Sequence, residues 1–264
     1  MKTKDIKIGI IGYGNMGQAM AKGWVEYGAI QPAYIYASAR DFDKLQQNCH
    51  KLGIQPVETA KALVEQVDVV VLAVKPYQIA QVLEPLTTLL KDKIILCVAA
   101  GINFKELTEM LPKDIAHISL VPNTPVAIGE GISIVENEHS LTDTQLNLVD
   151  GLLTKLGLVQ YVETNQLSVA GTLAGCGPAF AAMFIEALAD GAVKYGLSRA
   201  DAYQLASQML AGTGKMQLKT NEHPGVMKDA VTSPGGTTIK GVTALEENGF
   251  RNAIIKAMDA IEGE

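Results

Sequence analysis

The stretch IKIGIIGYGNMG, residues 6–17, decides the fold. Its first six residues are mostly isoleucine, a composition typical of a short buried strand. Three glycines with the spacing GxGxxG follow at once, and a helical pattern begins within the motif. A strand, a glycine-rich turn and a helix in this order predict a dinucleotide-binding turn.

Each glycine of this turn has a separate physical task. Gly12 permits the tight turn, Gly14 lets the backbone approach a pyrophosphate, and Gly17 lets the helix pack closely on the strand. Unpaired N–H groups and the positive end of the helix would then face the phosphates. The alternative is a glycine turn with a purely structural role, since GxGxxG also occurs by chance. We assign the whole turn to cofactor binding; its residues are Gly12, Tyr13, Gly14, Asn15, Met16 and Gly17.

The end of the second predicted strand bears on the choice between NAD and NADP. An NAD site usually has an acidic residue there, about 20 residues after the turn, which binds the ribose hydroxyls. Residues 37–40 contain no acid but include Ser38 and Arg40, whose hydroxyl and guanidinium suit a 2′-phosphate. The pattern favours NADPH. NADH is the alternative if Asp41 is the ribose ligand, or if Arg40 is only a solvated residue at a helix start.

Small residues follow two more predicted strands, at the edge where an open α/β sheet binds its ligand. They would let the ribose and nicotinamide pass close to the backbone. Lys75 would meet a phosphate or hydroxyl, or would stay in solvent. The cofactor residues assigned here are Ala73, Val74, Lys75, Pro76, Val98, Ala99 and Ala100.

The first part of the chain alternates strands and helices, and the second part is helical. Strand patterns lie at residues 6–11, 33–37, 67–74, 93–99, 115–121, 132–135 and 158–162. Helical patterns lie between them at residues 16–27, 42–52, 60–66, 77–90, 104–111 and 142–156. The alternation predicts an α/β fold, with a Rossmann-like doubly wound sheet of parallel strands over residues 1–162. Residues 163–264 predict an all-α domain with helices at 179–195, 199–220 and 251–261, the second of them capped by Ser198.

Composition limits the classes of function. The 264 residues are 48% hydrophobic and 19% charged, which excludes a disordered chain. A net charge of −6, from 22 basic and 28 acidic residues, predicts no nucleic-acid groove. Three separated cysteines without any CxxC or HExxH pattern predict neither a disulfide framework nor a metal site, and favour a reducing cytoplasm. The apolar runs are shorter than the roughly 18 residues of a membrane span, and the start of the chain does not fit a signal peptide, so we expect a soluble protein.

A second motif, VTSPGGTT at residues 231–238, lies in the helical part. It predicts a turn that opens into a helix, with successive backbone N–H groups and hydroxyls pointing the same way. Such a nest binds a carboxylate or phosphate, although a helix start with ordinary Ser or Thr caps is the alternative. A third glycine cluster, at residues 175–180, fits either a close approach to a ligand or a packing bend. Cys176 within it is expected to be a small buried residue.

Together these motifs resemble the pyrroline-5-carboxylate reductase family over essentially the whole chain. The motifs that carry the resemblance follow the order of that family: GYGNMG at 12–17, AVKP at 73–76, AAG at 99–101, PNTP at 122–125, GCGPAF at 175–180 and SPGGTT at 233–238. SPGGTT with the stretch 245–250 after it is highly specific, whereas GxGxxG alone is not. The chain departs from the family where Cys176 replaces a usual serine, Val121 a frequent methionine and Ala230 a frequent asparagine.

The resemblance implies an oxidoreductase that reduces 1-pyrroline-5-carboxylate to proline with NAD(P)H, the last step of proline synthesis. It implies that the substrate carboxylate binds to Ser233, Gly235, Gly236 and Thr237, and that Thr238 is the catalytic residue beside the ring nitrogen. It also implies a homodimer formed through the helical domain, with larger assemblies among relatives.

Two other functions stay open. A β-hydroxyacid dehydrogenase has a similar turn and a helical domain, but it uses a lysine on the helix between the domains. Here the helix that starts near Gly177 has alanines in its first turns and no lysine before Lys194. A non-catalytic NADP-binding sensor would use the same pocket for regulation, and the intact SPGGTT motif favours an enzyme instead.

Overall fold

The computed structural model describes residues 6–263. The chain divides into two compact units, the first ending at Cys176 and the second beginning at Gly177. The sequence predicts a domain boundary between residues 162 and 163, at the end of the last strand. That position precedes the division between the two compact units, and the boundary stays a prediction.

The described strands of the first unit belong to one sheet. They are β1 (Ile8–Ile11), β2 (Ile35–Ser38), β3 (Gln55–Pro56), β4 (Val69–Leu72), β5 (Ile94–Cys97), β6 (Ala116–Pro122), β7 (Gly131–His139) and β8 (Gly157–Val162). Their order across the sheet is β3-β2-β1-β4-β5-β6-β7-β8. The strands from β3 to β6 run parallel, and the chain changes direction across the sheet between β1 and β4, where a doubly wound sheet binds its ligand. The expected doubly wound α/β fold is confirmed.

Helices cover both faces of this sheet. They are α1 (Asn15–Glu26), α2 (Phe42–Leu52), α3 (Ala60–Val64), α4 (Ile79–Leu83), α5 (Phe104–Met110), α6 (Asp143–Leu153) and α7 (Leu167–Gly171). Two separate apolar clusters fill the space between helices and sheet. Trp24 of α1 is fully buried in the first cluster, and its indole N–H donates to the carbonyl of Leu152 over 3.0 Å. This packing fixes α1, and with it the glycine turn that precedes the helix.

Two expectations about the first unit are wrong. β6 and β7 pair antiparallel, although parallel strands were expected throughout. A parallel connection needs a crossover of roughly a dozen residues or more, whereas residues 123–130 supply only a short link that includes the 3₁₀ helix Thr124–Ile128. The helix expected over residues 77–90 is interrupted on either side of α4 by the 3₁₀ turns Pro76–Gln78 and Glu84–Leu86. Pro85 explains the second interruption, because proline has no N–H to donate.

The second unit is helical over its described residues. Its helices are α8 (Gly177–Lys194), α9 (Arg199–Thr220), α10 (Pro224–Ala230), α11 (Thr237–Glu247) and α12 (Phe250–Glu262). The predicted cap of α9 is confirmed, since Ser198 Oγ accepts the backbone N–H of Asp201 over 3.2 Å. α10 was not expected from the sequence; its cap is His223, whose ring nitrogen accepts the N–H of Gly225 over 3.0 Å.

Candidate active site

Gly12 and Gly17 are required by the packing of the first unit. Gly12 has φ of +98°, and a Cβ there would lie 2.6 Å from the carbonyl oxygen of Ala73. Its N–H donates to the carbonyl of Ser38 over 2.9 Å, so the turn is tied to β2 as well as to the end of β4. A Cβ at Gly17 would lie 2.5 Å from the carbonyl oxygen of Gly12. These two glycines allow α1 to start directly against the end of β1.

Gly14 has a different reason to lack a side chain. A Cβ there would meet no described atom within 4 Å, so packing does not demand glycine at this position. Gly14 is also the cap residue of α1, makes no side-chain hydrogen bond to the helix, and precedes a first turn without acidic residues. No side chain therefore caps the first N–H groups of α1, and the space beside Gly14 is open. The residues present fit a phosphate group at this helix start.

A cleft of about 990 Å³ extends from this helix start along the carboxyl ends of β1, β2, β4 and β5. It brings together nearly all the residues assigned to the cofactor in the sequence. Those that line it are Gly12, Tyr13, Gly14, Asn15, Met16, Ser38, Arg40, Ala73, Val74, Lys75, Pro76, Val98, Ala99 and Ala100. Gly17 does not line it, because it lies behind the turn against Gly12.

The strand order decides which part of a dinucleotide each wall would meet. β1 lies between β2 and β4, and its turn would hold the pyrophosphate. The adenosine half would then lie over the end of β2, beside Ser38 and Arg40. The nicotinamide half would lie over the ends of β4 and β5, where small residues line the cleft.

Basic and acidic side chains both line the β2 end of the cleft, the acidic ones being Asp41 and Glu58. Arg40 is exposed there, and Lys44 and Asn48 of α2 line the same wall. Neither α2 residue was assigned from the sequence, although the spacing of four residues from Lys44 to Asn48 places the two on one face of that helix. Asp41, the alternative ribose ligand, also lines the cleft, and it caps α2, since its Oδ1 accepts the N–H of Lys44 over 3.0 Å.

Two buried groups beside the turn are unsuited to proton transfer near neutral pH. Tyr13 is 6% exposed, and its hydroxyl has no hydrogen-bond partner among the described residues. Burial, with a smaller effect from Cys49, raises the pKa of this phenol above its ordinary value. Burial also raises the pKa of the Cys49 thiol to about 11. Both side chains stay protonated and support the turn by packing.

The predicted anion-binding loop lies in the second unit, between α10 and α11. Gly235 has φ of +67°, and the N–H of Gly236 donates to the carbonyl of Ser233 over 3.0 Å, which closes a tight turn. Gly236 is the cap residue of α11, and no side chain caps this helix. The alternative of an ordinary Ser or Thr cap is therefore not what the structure has. Thr237 and Thr238 are the first two residues of α11, and both are exposed.

The segments around residues 123 and 176 have structural explanations. Asn123 is 5% exposed; its Nδ2 donates to the carbonyl of Ala174 over 3.0 Å, and its Oδ1 accepts the N–H of Ile132 over 2.8 Å. It thereby ties the π-helical turn Thr172–Cys176 to β7. Cys176 itself is half-buried rather than buried as expected, because it lies at the end of that turn.

Two family models match this chain, one in the helical part and one in the first part of the sheet unit. Residues 164–263 match the family model described as pyrroline-5-carboxylate reductase dimerisation. Residues 7–101 match the model described as NADP oxidoreductase, coenzyme F420-dependent.

Similar proteins match along nearly the full length of the chain. The pyrroline-5-carboxylate reductase of Treponema pallidum (strain Nichols) is 41% identical over 259 residues, which are 97% of this chain and 98% of that protein. The enzyme of that name from Escherichia coli (strain K12) is 38% identical over 253 residues, 96% of this chain and 94% of that protein. The solved structure of Plasmodium falciparum pyrroline carboxylate reductase with NADP bound has a TM-score of 0.89 at 28% identity, and the match covers 98% of this chain and 96% of that one. Since two relatives above 30% identity are covered almost completely, the chain belongs to the pyrroline-5-carboxylate reductase family.

Proposed function

We propose that this chain reduces 1-pyrroline-5-carboxylate to L-proline with NADPH. The observation that carries the proposal is the cleft at the carboxyl ends of the strands, whose middle glycine, Gly14, is free of any packing demand. Membership of the family supplies the reaction, and the Plasmodium falciparum relative holds NADP in its solved structure. The bound reduced cofactor supplies a hydride to the carbon of the substrate C=N bond.

The substrate residues belong to the loop before α11. The carboxylate of the substrate binds to the N–H and hydroxyl groups of Ser233, Gly235, Gly236 and Thr237, because such a nest at an uncapped helix start favours an anion. Thr238 is the hydrogen-bond partner of the ring nitrogen: its Oγ accepts the N–H once the imine is protonated, and a water relay through the hydroxyl is the route by which that proton arrives. A threonine hydroxyl is a weak acid, so the ring nitrogen enters the reaction already protonated and the residues act mainly by positioning.

Cofactor preference depends on the β2 end of the cleft. We expect Arg40→Ala to raise the KM for NADPH and to leave the KM for NADH nearly unchanged, because only NADPH carries the 2′-phosphate. The loss of one charge-assisted contact is worth about 1.5–3 kcal/mol, or roughly ten- to a hundredfold in affinity. Initial rates with each cofactor measure the effect. Lys61→Ala removes an exposed cation outside the cleft and serves as the control; equal damage to both cofactors by Arg40→Ala would show that Arg40 is structural.

The second unit forms a homodimer. Very few of its described side chains are buried, whereas many large apolar ones are exposed, including Met183, Leu188, Leu205, Met209, Leu218 and Ile255. The helical stretch Thr164–Lys194 is long and apolar enough to cross a membrane by length and composition, and only 11% of its most apolar window is buried in the single chain. Burial against a second copy explains this surface, and the dimerisation model covers the same residues. We also expect the enzyme to be cytoplasmic and to have neither a membrane nor a nucleic acid as a partner. Its domain boundary is expected near residue 162.

A turnover assay tests the proposed function. The absorbance of NADPH is followed with 1-pyrroline-5-carboxylate as substrate, and we expect its loss to match the formation of proline. A hydroxyacid in place of the imine tests the β-hydroxyacid dehydrogenase alternative, which α8 disfavours because its only lysine is at its last residue, Lys194. Tight NADPH binding with no turnover of the imine would favour a sensor and overturn the proposal.

A further inference from the structure

Glu136 is a fully buried carboxylate that lies away from the residues assigned to cofactor or substrate. It belongs to β7 and has 0% exposure. Its Oε2 accepts the backbone N–H of Phe104 over 2.6 Å, and its Oε1 accepts the hydroxyl hydrogen of Thr164 over 2.5 Å. A buried carboxylate is costly unless its oxygens are paired, and here each oxygen has a donor.

The contact with Phe104 holds the start of α5. Phe104 is the first residue of that helix, and its N–H is one of the groups that no helical carbonyl can accept. Asn103 and Glu106 pair reciprocally at the same helix start, since the side chain of each accepts the backbone N–H of the other over 2.9 Å. Glu136 thus adds an acceptor at this helix start from a strand far away in the sequence.

The start of α5 is also one end of a cleft wall. Residues 98–103 connect β5 to α5, and Val98, Ala99 and Ala100 of this connection line the cleft. At its first end, the N–H of Val98 donates to the carbonyl of Leu72 on β4 over 3.1 Å. Between the two ends the chain turns at Gly101, which has φ of +81°. The position of the wall therefore depends on two anchors, one at Val98 and one at Phe104.

The side chain of Phe104 strengthens the second anchor. Its ring stacks on the ring of His117, with centroids 4.7 Å apart and planes inclined by 13°. His117 is 4% exposed and is fixed in turn by Thr108, whose Oγ1 lies 2.8 Å from the imidazole Nε2. The backbone contact to Glu136 is thus made by a residue whose ring is already held in place.

We propose that Glu136 is a positioning residue for the nicotinamide end of the cofactor cleft. Through the N–H of Phe104 it sets the distance at which residues 98–100 stand from the ligand. The inference rests on the proposed function in one respect, namely that this wall meets the nicotinamide half and the β2 end meets the adenosine half.

Two ligands of different length separate positioning from a general loss of structure. NADP⁺ spans the whole cleft, whereas 2′,5′-ADP is limited to the adenosine half. Calorimetric titration with each ligand is compared for the wild type and for Glu136→Ala. We expect the Kd for NADP⁺ to rise about tenfold in the variant, because a wall that loses a supporting contact shifts by a fraction of an ångström. The Kd for 2′,5′-ADP is expected to stay within about twofold, since the contacts at the β2 end are untouched.

Two conservative variants keep the test decisive if Glu136→Ala does not fold. Glu136→Gln keeps the reach of the side chain and an acceptor oxygen for Phe104, so we expect NADP⁺ affinity to be restored. Glu136→Asp keeps the charge but is one methylene shorter, so we expect it to behave like Glu136→Ala. Glu163→Ala is the matched control. It removes an exposed carboxylate next to Thr164, which accepts from Asn137 of β7 over 2.5 Å. Like the contact between Glu136 and Thr164, this hydrogen bond joins β7 to the residues that follow β8.

Four results would overturn the inference. Equal weakening of both ligands in Glu136→Ala or Glu136→Asp, or unchanged affinity for both with a lowered Tm, would mean that Glu136 only stabilises the fold. A larger loss in Glu136→Gln than in Glu136→Asp would mean that charge, not reach, matters. If the wild type fails to bind NADP⁺ at all, the proposed function fails and this inference with it.

Discussion

Thr238→Ala is expected to lower kcat by roughly ten- to a thousandfold while the chain still folds, within or below the range of a positioned proton transfer. Thr238 is the second residue of α11, is exposed, and does not cap its helix, which begins from Gly236 without any side-chain cap. Its hydroxyl therefore has no part in capping α11, which leaves it for the proposed contact with the substrate ring nitrogen. Because the variant removes a hydroxyl and a methyl group at an exposed position, we expect the Tm to change little.

The serine variant and a second threonine of α11 complete this test. Thr238→Ser returns the hydroxyl and is expected to recover most of kcat. Thr243→Ala is the matched control, since the hydroxyl of Thr243 donates to the carbonyl of Lys240 over 3.0 Å within the same helix. If Thr238 acts only on the helix start, its alanine variant will instead lose about 1 kcal/mol of stability with nearly normal kcat. Steady-state measurements of kcat and thermal melts of the same preparations decide between these outcomes.

Gly14→Val is expected to abolish NADP(H) binding without unfolding the chain. The Cβ position at Gly14 is free of described atoms within 4 Å, so the first side-chain carbon of the valine meets no clash in the absence of ligand. The same space is where the pyrophosphate must approach the first N–H groups of α1. We therefore expect no measurable heat in a titration with NADPH and a Tm close to that of the wild type.

Gly17→Ala gives the opposite pattern and serves as the comparison. Its Cβ would lie 2.5 Å from the carbonyl oxygen of Gly12, so the helix must shift, at a cost of about 1–3 kcal/mol in stability. NADPH affinity that survives Gly14→Val would contradict the assignment of the turn. A collapse of the Tm in Gly14→Val would show that the open space at this position is used by the fold after all.

Local signals in the sequence were enough for much of the fold. The start of α1 after a glycine turn and the Ser198 cap of α9 depend on neighbouring residues, and both could be predicted. The direction of β7 could have been predicted too, because residues 123–130 are too few for a crossover. β3 could not, because its two residues, Gln55 and Pro56, have no strand-like composition of their own and are held by pairing with β2.

The site also has residues that a local pattern reveals and residues that only distant contacts place. The glycine turn and the small residues after β4 and β5 are motifs, so the sequence indicated them. Lys44 and Asn48 could have been found from their four-residue spacing on α2, the helix that begins just after Arg40. Glu136 leaves no such signal, because its partners Phe104 and Thr164 are 32 and 28 residues away in the chain and meet it only after the sheet forms. Contacts of this kind depend on topology and cannot be seen in a local pattern.

The exposed apolar side chains of the second unit make the enzyme sensitive to its own concentration. If two copies cover each other through this surface, association and folding are one equilibrium, and mass action links the Tm to the amount of protein present. Dilution should lower the midpoint of thermal unfolding and shorten the lifetime of activity, whereas a concentrated stock should resist heat. An inactive variant mixed with the wild type should also exchange subunits, so that the activity of the mixture reports on pairs rather than on single chains.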